Sequence, residues 1–297
     1  LAIDPGSIGT FPERMEQFEA IKDKVYVLPR VGAKNATLEE DWIDNHTVYK
    51  KQRANYEQEE IYKKLYKRDF QRLYGDSQFD IVIQFEGYNG YWAKLFAYGP
   101  NCKKVMYLHN NMLGEFKKRF SYLPEIFNCY KYYDKVISVS NQTNEENKNN
   151  LARDYQIHLE KFDFVDNAIN YQEVLDKSKE SLPTYIENKY FQTNSITFIN
   201  IARLSIEKDQ EKLIRAFKEI HSKYPNTKLL ILGDGPLKEH LQELIIDLRL
   251  KKSVFLLGRI SNPFPYLKNS NCFIMSSNHE GQPMTLLEAL VLDKQII

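Results

Sequence analysis

The sequence contains little cysteine, and its three cysteines form no motif. Cys102, Cys129 and Cys272 are odd in number, far apart and without a CxxC pair or a histidine-rich companion. This pattern disfavours both a disulfide framework and a structural zinc site, and it fits a reducing compartment. We therefore expect neither a disulfide framework nor a bound metal ion.

Long hydrophobic runs and an excess of charge of one sign are also missing. No stretch approaches the roughly 18 to 20 apolar residues of a spanning helix, and the first residues lack a charged segment followed by an apolar run. Lysine and arginine number 41 against 40 for aspartate and glutamate, so the net charge of +1 gives no global reason to bind nucleic acid. We expect a cytoplasmic protein without a nucleic-acid partner.

What the sequence does contain is an alternation of short, β-branched apolar runs with longer helical stretches. This alternation is typical of βαβ units and a mainly parallel sheet. A chain of 297 residues, 42% of them hydrophobic, is long enough for two such domains. Strands are predicted at 25–28, 79–85, 105–109, 135–139 and 162–165, and then at 196–201, 228–232, 254–257, 272–275 and from Gln295 on. Helices are predicted within 38–73, as one bent helix or two, and at 210–222, 237–248 and 284–292.

A polar segment interrupts this alternation near the middle of the chain. Residues 171–192 are rich in lysine, serine and glutamate and include Pro183. We therefore predict a first domain at 1–175, a linker at 176–194 and a second domain at 195–297.

Ligands bind beyond the carboxyl ends of strands in open parallel sheets, so the residues directly after each predicted strand are candidates for a site. Polar residues and glycines gather there in both halves of the chain. In the first half they are Glu86, Gly87, His109, Asn110, Ser140 and Asn167; in the second they are Arg203, Gly233, Asp234, Gly235, Gly258, Arg259 and the stretch 276–280.

Arg203 and Lys208 follow the predicted strand at 196–201, where two cations could embrace a diphosphate. Each charge-assisted hydrogen bond is worth about 1.5 to 3 kcal/mol, and neutralising a leaving diphosphate matters most as its bond breaks. An ordinary loop with exposed charges is the alternative, and for this segment alone it is the favoured one.

Two further segments combine a strand end, glycines and the start of a helix. Residues 232–237, Leu-Gly-Asp-Gly-Pro-Leu, suit a helix N-terminus near an anion or a base, although a purely structural turn is the better single-motif interpretation. In 279–288, Glu280 follows a strand, Gly281 lets backbone approach a ligand and Glu288 lies in the next helical turn. One carboxylate could reach a sugar and the other a ribose; a loop glutamate beside a solvent-facing helical glutamate is an equally good interpretation.

Taken together, these segments resemble a known family. Arg203, Lys208, the Gly-Asp-Gly-Pro turn, the strand end at Gly258 and the pair Glu280-x7-Glu288 occur in the order and spacing of the GT-B glycosyltransferases of family 4. The resemblance is strongest from about residue 196 onward. The set is far more specific than any of its members.

The resemblance implies two facing, Rossmann-like doubly wound α/β domains, incomplete at both termini. It also implies a retaining transfer of a sugar from a nucleotide diphosphate donor to a glycan, wall-polymer or lipid-linked acceptor, without a cofactor or an essential metal. In such enzymes the leaving phosphate assists the attack of the acceptor on the same face. The implied roles are Arg203 and Lys208 on the diphosphate, Glu288 on the ribose, Glu280 and His109 near the transferred sugar, and Gly233, Gly235, Gly258, Gly281 and Thr285 in the remainder of the donor site.

Two departures from the family pattern matter. Gln282 and Pro283 stand where many members have Phe-Gly, which leaves the sugar preference open. The family's first strand and glycine-rich loop are expected before Leu1, and its last strands and returning helix after Ile297. We therefore expect a chain that is cut short at both ends.

Three other functions compete with this hypothesis. A glycosidase using Glu280 and Glu288 as its carboxylate pair explains fewer residues than a diphosphate site does. A phosphotransferase that uses a CDP-polyol donor also needs two facing α/β domains, but the sequence shows no pocket signature for it. A catalytically silent partner subunit is disfavoured by intact Arg203, Lys208, Glu280 and Glu288.

The setting of the reaction rests on weaker signals. High Lys, Asn, Ile and Tyr content is typical of a bacterial AT-rich genome, and surface polysaccharide or teichoic-acid synthesis follows by analogy alone. The basic, aromatic stretches 61–68 and 115–120 are a hypothesis for peripheral contact with the inner face of a membrane. A solvated face over buried Leu65 and Phe116 is the favoured interpretation.

Overall fold

The computed structural model describes residues 2–3, 19, 21, 23–30, 32–50 and 55–297. Contacts between residues divide the chain into two compact α/β units, Leu1–Val165 and Asp166–Ile297. Within the described residues, no helix is both long enough and apolar enough to span a membrane.

The first unit is built on a four-stranded parallel sheet with the strand order β3-β4-β5-β6. A separate two-stranded parallel sheet pairs β1 with β2. The strands are β1 (Ala2–Ile3), β2 (Leu28–Pro29), β3 (Ile81–Gln84), β4 (Lys103–Leu108), β5 (Lys135–Ser138) and β6 (Phe162–Phe164). The helices are α1 (Leu38–Lys50), α2 (Tyr56–Tyr74), α3 (Gly90–Tyr98), α4 (Met112–Lys118), α5 (Leu123–Phe127) and α6 (Asn141–Leu151).

The helical stretch predicted within 38–73 contains two helices, α1 and α2, while residues 51–54 lie outside the described part. A capping box starts α2: the Asn55 side chain accepts from the Gln58 amide at 2.9 Å, and Gln58 accepts from the Asn55 amide at 2.9 Å. The face of α2 with Leu65 is buried, and its Arg68 pairs with Glu40. This geometry agrees with the solvated-face interpretation of the basic stretch.

A group of charged side chains is buried between the helices of the first unit. The Lys94 ammonium, 3% exposed, contacts the carboxylates of Asp44 and Glu125. Lys34 also pairs with Asp44, and the Tyr66 hydroxyl donates to it at 2.8 Å. Burial alone would raise the pKa of Asp44, but the two lysines lower it, so the carboxylate stays ionised. These contacts tie α1 to α2, α3 and α5.

The second unit contains a five-stranded sheet with the order β11-β10-β7-β8-β9, in which every pair is parallel. All five strands fall where continuous apolar runs predict them, as expected for strands covered on both faces. The strands are β7 (Ile196–Ile201), β8 (Thr227–Leu232), β9 (Val254–Gly258), β10 (Cys272–Phe273) and β11 (Gln295–Ile296). The helices are α7 (Tyr171–Lys177), α8 (Thr184–Tyr190), α9 (Gln210–Lys223), α10 (Lys238–Asp247), α11 (Phe264–Asn269) and α12 (Met284–Val291).

The structure places the predicted linker, 176–194, inside the second unit. It includes helix α8, whose Ile186 and Tyr190 are buried with Leu182 in a core cluster that also contains Leu230 of β8. These apolar residues recur at intervals of four, on one face of a helix, and the polar residues between them give the segment its linker-like composition. The second unit thus begins at Asp166, before the predicted linker.

Candidate functional site

The strand order of the second unit fixes where a ligand would bind. From β7 the chain proceeds to β8 and β9 on one side of the sheet, and then returns to β10 and β11 on the other side. The direction therefore reverses between β7 and β10, and open α/β sheets bind ligands at such a switch point, beyond the carboxyl ends of the strands. The loop after β7 carries Arg203 and Lys208, and the segment after β10 carries Glu280.

The two segments at the switch point are bonded to each other. The Lys208 ammonium pairs with the Glu280 carboxylate, and the two side chains are 22% and 19% exposed. The Ser276 hydroxyl donates to the Lys208 carbonyl at 2.7 Å, and the Asn278 amide donates to the Glu207 carbonyl at 2.9 Å. The structure therefore brings together the cation and the carboxylate that the sequence places 72 positions apart.

Arg203 lies in the same loop but is exposed, and its guanidinium has no ion pair among the described residues. The backbone beneath it is held by Gln210 at the start of α9, whose fully buried side chain donates to the Arg203 carbonyl at 2.9 Å. Asp209 ends the loop in the left-handed region, with φ of 49°, and its side chain caps α9. An unpaired guanidinium on a fixed backbone is suited to binding an anion.

The glycine turn after β8 packs directly against this loop. Gly233 has φ of +140°, and a Cβ atom there would lie 1.9 Å from the Ala202 carbonyl oxygen; at Gly235 it would lie 2.4 Å from the Leu204 carbonyl oxygen. The Gly233 amide donates to the Gly258 carbonyl at 2.7 Å. Gly233 and Gly235 therefore allow the turn to approach the Arg203 loop closely. Donor binding by these two glycines stays a prediction.

Helix α12 begins after Pro283 without a side-chain cap, so its first amides are not bonded to a capping side chain. Thr285 lies in its first turn, and Glu288 follows in the next. Burial raises the pKa of Glu288, which is half-buried and has no ion pair among the described residues. A carboxylate in this setting is a strong hydrogen-bond acceptor for hydroxyl groups.

His109 belongs to the first unit, at the carboxyl end of β4. Its Nε2 atom lies 2.7 Å from the Phe85 carbonyl oxygen, and its ring packs against the rings of Phe85 and Tyr107. A carbonyl can only accept, so Nε2 carries the hydrogen of this bond. The histidine is thus held by its neighbours in one orientation.

Two candidates from the first half of the sequence have other roles. Ser140 is the N-cap of α6: its hydroxyl accepts from the Thr143 amide at 3.2 Å, which occupies it structurally. Asn167 lies in the second unit, where its backbone and side-chain amides donate to the side chain and carbonyl of Gln282. Gln282, in turn, donates to Asp166 at 3.3 Å. The segment before α12 is therefore anchored to the beginning of its own unit.

Several residues around the Arg203 loop were not predicted from the sequence. Gln210 and Ser276 hold the backbone of Arg203 and Lys208, as described above. In the second unit, the buried side-chain polar atoms without a hydrogen-bond partner are Asn200 Oδ1, Ser205 Oγ and Gln210 Oε1, all in or beside this loop. Buried polar atoms are normally paired, so their clustering here distinguishes the loop from an ordinary surface turn. In the sequence, the local signal for this role of Gln210 was its position at the start of the helix predicted at 210–222.

Within the described residues, no three histidine, cysteine, aspartate or glutamate side chains come together in a way that could hold a metal ion. A transfer that needs no essential metal stays a prediction.

Solved structures identify the class of fold. The chain is similar to Alr3699/HepE from Anabaena in complex with UDP and glucose, with a TM-score of 0.65 and 15% identity over 96% of this chain and 69% of that one. It is also similar to a mutant of TarM from S. aureus, with a TM-score of 0.60 and 20% identity over 78% of this chain and 43% of that one. The fold is that of the GT-B glycosyltransferases, as predicted.

Residues 183–297, which contain the switch-point residues, match the family model of glycosyl transferases group 1. An uncharacterised glycosyltransferase, MJ1059 from Methanocaldococcus jannaschii, is 40% identical over 69% of this chain and 50% of its own length. Alpha-monoglucosyldiacylglycerol synthase from Acholeplasma laidlawii is 25% identical over 74% of this chain and 52% of its own length. The chain spans about half the length of these curated relatives.

Proposed function

We propose that the protein is a retaining hexosyltransferase that moves a sugar from a nucleoside diphosphate donor to a hydroxyl group of an acceptor. The observation that carries the proposal is the switch point of the second unit. There an unpaired arginine and a lysine paired with a glutamate come from segments that follow two adjacent strands, and an unpaired half-buried glutamate lies in the helix that comes next in the chain. A diphosphate, a sugar and a ribose require these kinds of group.

In the proposed complex, oxygens of the diphosphate accept hydrogen bonds from Arg203 and Lys208. Lys208 then leaves Glu280, whose carboxylate accepts from hydroxyls of the donor sugar. Glu288 accepts from the ribose hydroxyls, and the first amides of α12 contribute a favourable field to the phosphate. Gly258, the last residue of β9, and Gly281, in the segment after β10, lie on the same rim of the sheet.

The reaction breaks the bond between the anomeric carbon and the phosphate oxygen, and forms a bond from the same face to the acceptor oxygen. The proton of the acceptor hydroxyl passes to the leaving phosphate oxygen. Arg203 and Lys208 stabilise the negative charge that grows on the diphosphate as its bond to the sugar breaks. His109 is proposed to hydrogen-bond the transferred sugar.

The similar proteins support this class of donor. The HepE structures contain UDP and glucose or UDP-glucose. One relative from Campylobacter jejuni, 28% identical over 65% of this chain and 47% of its own length, is named as an N-acetylgalactosaminyltransferase acting on a diphospho-undecaprenol-linked glycan. Membership of family 4, a bacterial source, a cytoplasmic or inner-membrane-face location and independence of cofactors complete the proposal. The polyol-phosphotransferase and silent-subunit alternatives have no observation in their favour.

We expect one or more nucleoside diphosphates to stabilise the complete protein, and Arg203→Ala to abolish this effect. A ligand at about 100 times its dissociation constant adds roughly 2.7 kcal/mol to the free energy of unfolding. The measurement is the melting temperature with UDP, GDP, ADP or CDP. Arg215→Ala is the matched control, because Arg215 is an exposed arginine of the same unit whose partner is Glu211. A folded protein that none of the four stabilises would contradict the proposed function.

We also expect Glu288→Ala to remove the recognition of the ribose. For the nucleoside diphosphate found in the screen, loss of both ribose hydroxyls should raise the Kd of the wild type at least about tenfold, since hydrogen bonds to charged groups are worth about 1.5 to 3 kcal/mol. In Glu288→Ala the nucleoside diphosphates with and without the two ribose hydroxyls should have the same Kd. Calorimetric titration measures both constants, and Glu243→Ala, at an exposed helical glutamate, is the control. Equal discrimination in wild type and Glu288→Ala would refute this role.

A further inference from the structure

The first unit contains a cavity of about 380 Å³, and its lining includes none of the residues proposed to bind the donor. This volume falls in the range of small-molecule sites, roughly 300 to 1,000 Å³. We call it the aromatic pocket, and it is lined by Glu86, Tyr88, Asn89, Gly90, Phe120 and Tyr122.

The aromatic pocket lies at the edge of the sheet where a ligand is expected. Strands β3 and β4 are parallel and adjacent, so Glu86, which follows β3, and His109, which follows β4, lie at the same edge. Phe85, next to Glu86, accepts the hydrogen bond from His109. The segment after β3 is also held by Gly87, whose amide donates to the buried Gln84 side chain at 2.6 Å. The contacts of Phe85 and Gly87 therefore fix both Glu86, which lines the pocket, and the ring of His109.

Three half-buried aromatic rings form the apolar part of the pocket. The ring centroids of Tyr88 and Phe120 are 5.1 Å apart, and those of Phe120 and Tyr122 are 5.9 Å apart. The Arg119 guanidinium lies over the Phe120 ring, 4.8 Å from its centroid, without lining the cavity. Aromatic faces pack against the C–H groups of a sugar ring and leave the hydroxyls of the sugar at the edges, where polar partners can reach them.

The polar groups of the pocket suit those hydroxyls. Glu86 is exposed and offers a carboxylate acceptor. The Asn89 side-chain oxygen caps α3 through the Trp92 amide at 3.2 Å, which leaves its NH₂ group as a donor. The Tyr88 hydroxyl accepts from Asn110 at 3.1 Å, so its own hydrogen can be donated. Burial raises the pKa of Tyr88 to about 12, which keeps the hydroxyl protonated at neutral pH.

We propose that the aromatic pocket binds a neutral sugar ring of a glycan acceptor. The inference rests on the proposed function and narrows its acceptor class. A phosphate-bearing acceptor would meet the Glu86 carboxylate and no lining lysine or arginine, which is unfavourable. An acyl chain would leave the carboxylate and the amide of Asn89 without partners, which costs binding free energy. A ring with apolar faces and hydroxyl edges satisfies both parts of the lining.

The test is binding of methyl glycosides of glucose, galactose, N-acetylglucosamine and N-acetylgalactosamine to the complete protein, measured by saturation-transfer NMR. We expect at least one glycoside to bind with its ring C–H protons saturated most strongly. Glu86→Gln and Tyr122→Leu should each raise its Kd about tenfold. Glu160→Gln and Tyr56→Leu, at exposed positions of the first unit, should leave it unchanged. Glu86 is exposed, so its variant tests the pocket without disturbing the core.

The outcomes separate this inference from the proposed function. Stabilisation by a nucleoside diphosphate should be the same in both pocket variants and in the wild type. If a nucleoside diphosphate binds and no glycoside does, or if the glycoside binds all variants equally, the pocket assignment fails and the glycosyltransferase proposal stands. Binding of glycerol phosphate or of diacylglycerol vesicles instead, lost in Tyr122→Leu, would overturn the assignment of a sugar. Glycoside binding at the pocket with no nucleoside diphosphate binding would count against the proposed function alone.

Discussion

Lys208→Ala is expected to lower turnover about 100- to 1,000-fold, the usual loss when one group that stabilises transition-state charge is removed. In the proposed reaction the ammonium opposes a charge that is larger on the departing diphosphate than on the intact donor. The substitution should therefore reduce kcat more than it weakens binding of the nucleoside diphosphate. Steady-state kinetics and calorimetry measure the two effects separately.

The ion pair between Lys208 and Glu280 leads to a second expected result, for a substitution of Glu280. In the structure Glu280 pairs with Lys208. In the proposed complex a phosphate takes this position on Lys208, so a bound donor would replace Glu280. Glu280→Gln should therefore bind the nucleoside diphosphate as tightly as the wild type, or a few-fold more tightly, while turnover of the sugar donor falls. Lys212→Ala, at an exposed lysine of α9, is the control for charge alone. Weaker binding of the diphosphate in Glu280→Gln would contradict the exchange of partners.

Gly233→Ala is expected to destabilise the second unit by about 4 kcal/mol or more, at the severe end of single substitutions. The added methyl group would fall 1.9 Å from a backbone oxygen. The backbone of Gly233 also has φ of +140°, a conformation that L-residues with a side chain rarely adopt. The Arg203 loop must move for the methyl group to fit. Loss of nucleoside diphosphate binding should accompany the loss of stability.

Gly258→Ala provides the matched comparison, because it also has positive φ, +72°, but nothing lies within 4 Å of the added Cβ atom. Only backbone strain remains, and we expect a cost of about 1 to 2 kcal/mol. Urea unfolding of both variants measures the difference. If the two glycines prove equally replaceable, the close approach of the turn to the Arg203 loop is not a constraint in solution.

The second unit was largely predictable because its central strands are continuous apolar runs. The strand at 196–201 and helix α9, with its buried Leu213, Ile214 and Phe217, lie where the pattern places them. For the segments after β7 and β10 the sequence could predict the edge of the sheet, because parallel strands end at one edge. That β7 and β10 are adjacent is known only from the structure. Periodicity and strand-end position together carry this information.

The contacts that hold the site in place could not be predicted. Gln210 to Arg203, Ser276 to Lys208 and Asn167 to Gln282 are side-chain to backbone bonds whose partners are set by the tertiary fold. Asn167 and Gln282 are 115 positions apart and share no local pattern. The predicted linker includes the residues of helix α8 because their polar side chains outnumber the two that are buried, Ile186 and Tyr190.

The buried ion pair of Lys94 with Asp44 has a consequence for how the first unit opens. If helix α1 detached alone, the Lys94 ammonium, 3% exposed, would lose the carboxylate of Asp44 and keep only Glu125 in a low-dielectric environment. Each charge-assisted hydrogen bond to Asp44 that is lost, from Lys94 and from the Tyr66 hydroxyl, costs about 1.5 to 3 kcal/mol. Helix α1 is therefore coupled to the core in cooperative unfolding rather than fraying as an independent segment, and its amides should exchange with solvent only when the core itself opens.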